Sequence, residues 1–371
     1  MGKKVALGFV GAGYMGQLAH IANYAELTDV TLAALAEGRE KTAQLVARRY
    51  GIEAVYPSHR EMLAEAKVDA VVAILPYRFH HAVIPDILAA GKHCLTEKPI
   101  AICAETGRRL AQLAKERGLV YQVGYMKRSD LASQYAWRLI RQWQASGELG
   151  RLRYVRVEMP PGDWQLHSPR PLSGGPESPA YEGQAPEPFP GWMDEETGKF
   201  YDRFINYYVH QLNLLRFLLG EDYEVRYADP AGVTLTASTS TGVTVTLEMA
   251  AYQCRDHWEE AYTLCFEKGY VRLELPAPMA RQRAGRVLIY RGSTVSPRPE
   301  LVEGRGASEL TAFEEPVFPS RWAMQEQARF FIDSVRDGSP NVSPAEDAVK
   351  DLEVAEQYVR LFVAINACVS R

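Results

Sequence analysis

Cysteine is scarce: Cys94, Cys103, Cys254, Cys265 and Cys368 are five in 371 residues, with no C-x-x-C pair and no histidine at ligand spacing. An odd, scattered set excludes a disulfide framework and a structural zinc site, and fits a reducing cytoplasm. No metal site is expected. Long apolar runs are missing as well, the longest being broken by Asp69 and Pro76, so nothing approaches the roughly 18 residues of a membrane-spanning helix. Positive charge is not in surplus. Lys plus Arg number 42 against 46 Asp plus Glu, a net charge of −4, which argues against a nucleic-acid partner. Lys3-Lys4 before an apolar stretch copies a secretory signal superficially, but the glycines inside that stretch have a better use.

What remains is an ordinary globular composition, 47% hydrophobic and 24% charged, at a length of two or three domains. The first 125 residues alternate strand-like and helix-like runs, with strands over 5–10, 30–36, 70–75, 93–96 and 120–123 and helices over 15–27, 39–50, 81–90 and 104–117. That alternation predicts a parallel sheet of five or six strands wrapped by helices. A helix over 131–144 follows. Then strands succeed strands, over 152–158, 225–228, 232–239, 243–252, 259–267, 270–275 and 287–290, which predicts a mostly antiparallel sheet. Two closing helices, 321–336 and 345–367, are separated by Gly338, Pro340 and Pro344. The fold expected is an α/β N-terminal Rossmann domain with a doubly wound parallel sheet, residues 1–128, plus an α+β C-terminal domain with a large, mostly antiparallel open sheet, residues 129–371.

Residues 160–199 stand apart, holding nine of the 22 prolines and six glycines together with Trp164, His167, Tyr181, Phe189 and Trp192. Loops of that length in a compact domain are functional or disordered. The aromatic residues favour an ordered loop that covers the second domain's sheet and shapes a pocket.

The expected strand 5–10 runs into Gly11-Ala12-Gly13-Tyr14-Met15-Gly16, a Gly-x-Gly-x-x-Gly pattern, and then into a helix. The first glycine permits the turn, the second lets backbone approach a pyrophosphate, and the third lets helix pack on strand. Glu37 closes the second strand, where an acidic side chain reads ribose hydroxyls. A glycine turn with an ordinary surface glutamate is the competing explanation. Glu37 repels a 2′-phosphate and so favours NAD over NADP, with Arg39 two residues on as a partial offset.

Val68-Asp69-Ala70-Val71-Val72 with Pro76 and His80, then Lys92-His93-Cys94-Leu95-Thr96-Glu97-Lys98-Pro99, and later Gly124-Tyr125-Met126-Lys127-Arg128, resemble the glucose-fructose oxidoreductase/inositol dehydrogenase/MocA (Gfo/Idh/MocA) family. The Glu-Lys-Pro tripeptide after a glycine fingerprint is the most specific sign. The resemblance implies a cofactor site that includes Pro76, His80, Glu97 and Lys98. It puts Lys98 beside the nicotinamide as a catalytic group on the reacting oxygen, with Pro99 bending the backbone there and a cis bond as one option. Arg128 and Tyr125 are candidates to line the site, with a buried interdomain salt bridge as the competing explanation for Arg128.

On residues 202–213, Asn206, His210 and Asn213 fall within about 60° of arc, and Ile205, Tyr208, Leu212, Leu215 and Leu219 gather opposite. The family reads Asp-x-x-x-His-x-x-Asp here, so His210 matches and two amides replace carboxylates. His210 is the candidate general base. Asp202, one turn before Asn206, is a candidate acid or replacement charge. The substrate set expected is Arg128, Trp164, Trp192, Tyr201, Asn206, His210 and Asn213.

The resemblance thus implies an enzyme that moves hydride between a secondary hydroxyl of a sugar, sugar derivative or cyclitol and NAD, with Lys98 and His210 as its catalytic pair. A redox-neutral enzyme that oxidises a glycoside transiently is the alternative, and a non-catalytic dinucleotide sensor is a third. A cytoplasmic homo-oligomer, dimer or tetramer, is expected because family members commonly pair through the open sheet.

Overall fold

The computed structural model describes residues 4–176, 184–250, 257–292 and 312–369, which leaves Tyr181, Tyr252 and Cys254 outside. Contacts divide the chain into two compact units. The first joins Met1–Ser129, His167–Asn213 and Ala323–Glu356; the second joins Asp130–Leu166, Leu214–Trp322 and Gln357–Arg371. Neither unit is one contiguous stretch of sequence, because two later segments return to the first unit.

The first unit is built on β1 (Val5–Val10), β2 (Val30–Ala36), β3 (Ala54–Tyr56), β4 (Ala70–Ala73), β5 (His93–Thr96) and β6 (Tyr121–Val123). Their order is β3-β2-β1-β4-β5-β6, with every pairing parallel. β4 is buried at every residue, as a central parallel strand covered on both faces must be. The helices of this unit include α1 (Ala22–Ala25), α2 (Glu40–Tyr50), α3 (His59–Glu65), α4 (His80–Ala89) and α5 (Ala104–Glu116). The helix expected at 15–27 begins as a π-helix over Gly16–Ile21. Short β3 was not among the strands expected, since three residues carry no period.

Why α8 (Ala323–Asp337) returns is visible in the core. Phe331 and Ile332 are withdrawn from solvent in one cluster with Leu7, Phe9, Tyr24 and Leu35. Strand order reverses between β1 and β4, so the loops after these strands flank the crevice where doubly wound sheets bind ligands.

The second unit carries α6 (Leu131–Ser146) and eight strands: β7 (Leu152–Glu158), β8 (Tyr223–Ala228), β9 (Thr234–Thr239), β10 (Thr244–Glu248), β11 (Ala261–Phe266), β12 (Gly269–Glu274), β13 (Arg286–Arg291) and β14 (Ala312–Glu314). All neighbours are antiparallel except β7 and β10. Two long helices, α7 (Glu195–Leu219) and α9 (Ala345–Val369), pass from one unit to the other along the chain.

Candidate active site

The glycine loop has the geometry its pattern demands. Gly11 has φ +92°, and a Cβ there would lie 2.3 Å from the Ile74 carbonyl oxygen after β4, so only glycine lets the two crevice loops meet. A Cβ on Gly16 would lie 2.9 Å from the Gly11 oxygen. Around Gly13 such an atom would meet nothing within 4 Å. Backbone facing open space at this point fits a dinucleotide pyrophosphate. Tyr14 and Met15 continue this loop and are half-buried.

Glu37 is buried at the end of β2. Its Oε2 accepts from the Ala12 N–H at 2.8 Å and from Arg39 Nη2 at 2.7 Å, and its Oε1 accepts from the Arg39 N–H and Nε. Burial raises the carboxyl's pKa, but the Arg39 guanidinium and these N–H donors outweigh it and hold the group below its ordinary value. Its four acceptor positions are therefore all occupied.

At the end of β5, Glu97-Lys98-Pro99 turns with a cis Lys98–Pro99 bond. Lys98 Nζ donates to the Asn206 backbone carbonyl at 2.5 Å and lies 3.4 Å from Asn206 Oδ1. That contact ties the Lys98 side chain to α7 one turn before His210. Burial lowers the Lys98 pKa, Glu97 opposes this and Lys127 adds to it, leaving a value of about 8. His210 is held well below 6.5, first by burial and then by the charges of Lys98 and Lys127. Its Nδ1 has no hydrogen-bond partner among the described residues, and the Tyr125 ring meets the imidazole edge-on at 6.0 Å.

The stripe on α7 is not one surface. Asn206 is exposed and His210 half-buried, but Asn213 is buried. Its Oδ1 accepts from Arg128 Nε at 2.5 Å, its Nδ2 donates to Asp351 at 2.7 Å, and Arg128 pairs with Asp347. Arg128 and Asn213 are thus engaged with one another inside the fold, a correction to their expected role against substrate. Tyr201 needs the same correction: it is fully buried and its hydroxyl donates to the Ile102 carbonyl at 2.9 Å. Asp202 accepts the Tyr77 hydroxyl at 2.8 Å beside Arg78. Pro76 is exposed in the β4 loop, whereas His80 is buried against the Ile100 carbonyl, and burial lowers its pKa to about 4.

From His167 onward the described residues of the proline-rich segment belong to the first unit. Leu172 offers both backbone groups to the Gln17 side chain, at 2.8 and 3.0 Å, and the Gly174 N–H donates to Thr42 Oγ1 at 2.9 Å. Gln17 also donates to the Ala12 carbonyl in the glycine loop. Further on, the Glu187 carboxylate accepts from the N–H groups of Ile102 and Cys103. Backbone groups thus fix 172–174, the Glu187 carboxylate fixes the later stretch, and the Arg78 guanidinium lies over the Phe189 ring at 4.6 Å. Trp192 is half-buried in the same segment, while Trp164 belongs to the second unit, where its carbonyl accepts from the Met279 N–H.

Four residues that the sequence reading passed over belong to this picture: Gln17, His20, Lys127 and Glu187. His20 follows Gly16 by one helical turn, and Gln17 follows it directly and bonds back to Ala12. The contact of Gln17 with Leu172 and those of Glu187 act across more than 80 positions, and Lys127 acts through charge.

Residues 5–125 match the family described as "Oxidoreductase family, NAD-binding Rossmann fold", the Gfo/Idh/MocA family. The match covers about a third of the chain. D-glucoside 3-dehydrogenase of Escherichia coli (strain K12) is 30% identical over 171 residues, 45% of this chain and 47% of that protein. The chain therefore matches about half the length of that relative. Inositol 2-dehydrogenase of Burkholderia cenocepacia (strain HI2424) is 26% identical over 95% of this chain and 93% of its own. Among solved structures, a 3-ketoreductase from Actinomadura kijaniata in complex with TDP-benzene and NADP superposes with a TM-score of 0.65 at 19% identity, covering 95% of this chain and 96% of that one. No helix among the described residues is long and apolar enough to cross a membrane.

Proposed function

We propose that this chain is a member of the Gfo/Idh/MocA family that moves hydride between a secondary hydroxyl of a sugar, sugar derivative or cyclitol and NAD. The observation that carries this reading is the tether between Lys98 and Asn206, which brings a lysine and a histidine, both with lowered pKa, to one end of the parallel sheet. Gly11, Gly13 and Gly16 with the following helix N-terminus would hold the pyrophosphate, and Glu37 the adenosine ribose. When bound, the nicotinamide supplies the hydride acceptor. His210, neutral because burial and two lysines disfavour its cation, takes the hydroxyl proton. Lys98, a cation below about pH 8, donates to the same oxygen as negative charge develops there. Asn206, exposed beside Lys98, offers an amide to neighbouring hydroxyls.

NAD is favoured over NADP by the charge on Glu37, and Arg39 sets how strongly. Because Arg39 and Ala12 occupy all acceptor positions of Glu37, recognition of a ribose requires Arg39 to give way. The test is incubation with candidate sugars and cyclitols, following NADH absorbance and identifying products by mass spectrometry. Stoichiometric NADH with a ketone supports the reading; no oxidation of any polyol by a cofactor-loaded protein overturns it.

The segment docked on Gln17 and Thr42 favours a second reading. A strand of backbone bonded beside the glycine loop hinders cofactor exchange, which suits an enzyme that oxidises a glycoside, cleaves it and reduces it again on one bound NAD. A cleaved glycoside with no accumulated NADH in the same assay selects this reading.

A further inference from the structure

We infer that His20 is a positioning residue for Lys98, acting through Glu97; only the kinetic consequence of this inference rests on the hydride-transfer reading. His20 lies on the π-helix Gly16–Ile21, a local widening of the helix of the kind found frequently at functional sites. Its Nε2 is 2.7 Å from Glu97 Oε1, and the two side chains are 2% and 15% exposed. The other oxygen, Glu97 Oε2, accepts the Lys98 N–H at 3.2 Å. Gly124 walls in the same carboxylate: a Cβ there would lie 3.0 Å from the Thr96 carbonyl and 3.5 Å from Glu97 Oε2. The carboxylate is therefore held between the helix that follows the glycine loop and the turn that carries Lys98.

This arrangement has an electrostatic consequence. A carboxyl group withdrawn from water protonates unless donors and cations hold its charge. Burial raises the Glu97 pKa, but the His20 hydrogen bond and charge, followed by Lys98, outweigh it and keep Glu97 ionised. Glu97 in turn supplies the counter-charge that opposes burial and Lys127 at Lys98. His80 of α4 also senses Glu97, and His210 of α7 senses Lys98. A purely structural His20–Glu97 contact would leave the titration of Lys98 where it is.

The experiment labels the full-length protein with acetic anhydride across a pH series and reads Lys98 by peptide mass spectrometry, since only the neutral amine reacts. In His20→Ala the midpoint should fall by about one pH unit, the lower end of the effect of a neighbouring opposite charge. Glu97→Gln should give the same fall, and the double variant no more. His20→Gln, which retains a donor toward Glu97, should stay near the parent. A folded His20→Ala with an unchanged Lys98 midpoint overturns the inference. Should His20→Ala fail to fold, Glu97→Gln and His20→Gln decide: a shift in the first alone supports the inference, and any other pattern overturns it. Labelling needs neither cofactor nor turnover, so failure here is separate from failure of the hydride-transfer reading. Where turnover is measurable, the alkaline limb of kcat/KM should move to lower pH with the labelling midpoint.

Discussion

The two units of this chain are organised by different forces. In the second, strands such as β9 and β10 follow a period of two: β9 alternates half-buried and buried residues from end to end, and Thr236 faces Thr246 across the β9–β10 pair on the outward side. In the first, two of three separate stretches of sequence share an apolar core that takes in Phe331 and Ile332, and between them the three also bury many polar groups, among them Gln17, His20, Glu37, Arg128, Asn213 and Asp351. Burying such groups costs stability unless each finds a partner. Their concentration in one unit marks where the fold has been shaped for something besides packing, and that unit also carries the lysine and histidine whose pKa values are displaced.

The largest test of that contrast removes the two proposed catalytic groups. Lys98→Ala and His210→Ala should each lower kcat/KM by roughly 10²- to 10⁴-fold, the usual range for acid–base groups, while NAD affinity by calorimetry stays near the parent. Their losses should not add, because both act on one oxygen. Full activity in either variant removes that residue from the mechanism.

A second test separates two glycines. Gly11→Val forces a side chain against the Ile74 carbonyl at a strained φ and should prevent folding, whereas Gly13→Val meets only open space and should fold normally yet lose about tenfold or more in NAD affinity. Thermal melts with and without NAD distinguish the outcomes. Unchanged NAD affinity in Gly13→Val would place the pyrophosphate elsewhere.

The pH dependence of kcat/KM is the third. Lys98 donates as a cation, which exists below about pH 8, so the alkaline limb should fall near that value. His210 accepts as a neutral ring, which exists above its lowered pKa, so the acid limb should lie well below 6.5. A limb near 6.5 would mean that water reaches the imidazole.

How much of this was legible in the sequence follows from the range of each interaction. Strands with a clear apolar period, such as 152–158, and the glycine loop could be read locally. The family resemblance added Lys98 and His210. The helix wheel grouped Asn206, His210 and Asn213, yet an arc of about 60° is wide enough for one end to face solvent and the other to be buried. What turns Asn213 inward is Arg128, 85 positions away, and Asp351, 138 positions away. His20 and Glu97 are separated by 77 positions, and no local pattern links them. The docking of 172–174 likewise depends on Gln17 and Thr42, whose roles are set by backbone groups that any residue could supply.

A smaller effect is expected at Arg39. Its side chain neutralises Glu37 and occupies two of its four acceptor positions, so Arg39→Ala should strengthen the preference for NAD over NADP by several-fold, within the order of about 0.2–1 kcal/mol typical of a partly exposed ion pair. A weakened preference for NAD in that variant would assign cofactor choice to other residues.

The smallest effect belongs in the other unit. Thr246 and Thr236 form a cross-strand pair on the outward face, and such pairs contribute about 0.2–1 kcal/mol relative to alanine. Thr246→Ala should therefore lower the melting temperature slightly and leave NAD affinity, the Lys98 labelling midpoint and kcat/KM at parent values, because nothing polar is left buried without a partner. The result matters for the contrast as much as the large losses do. If a single outward threonine of the antiparallel sheet shifted the Lys98 midpoint, the division of labour between that sheet and the unit where buried polar contacts gather would be wrong, and the electrostatics of the unit that carries Lys98 could no longer be argued from its own residues.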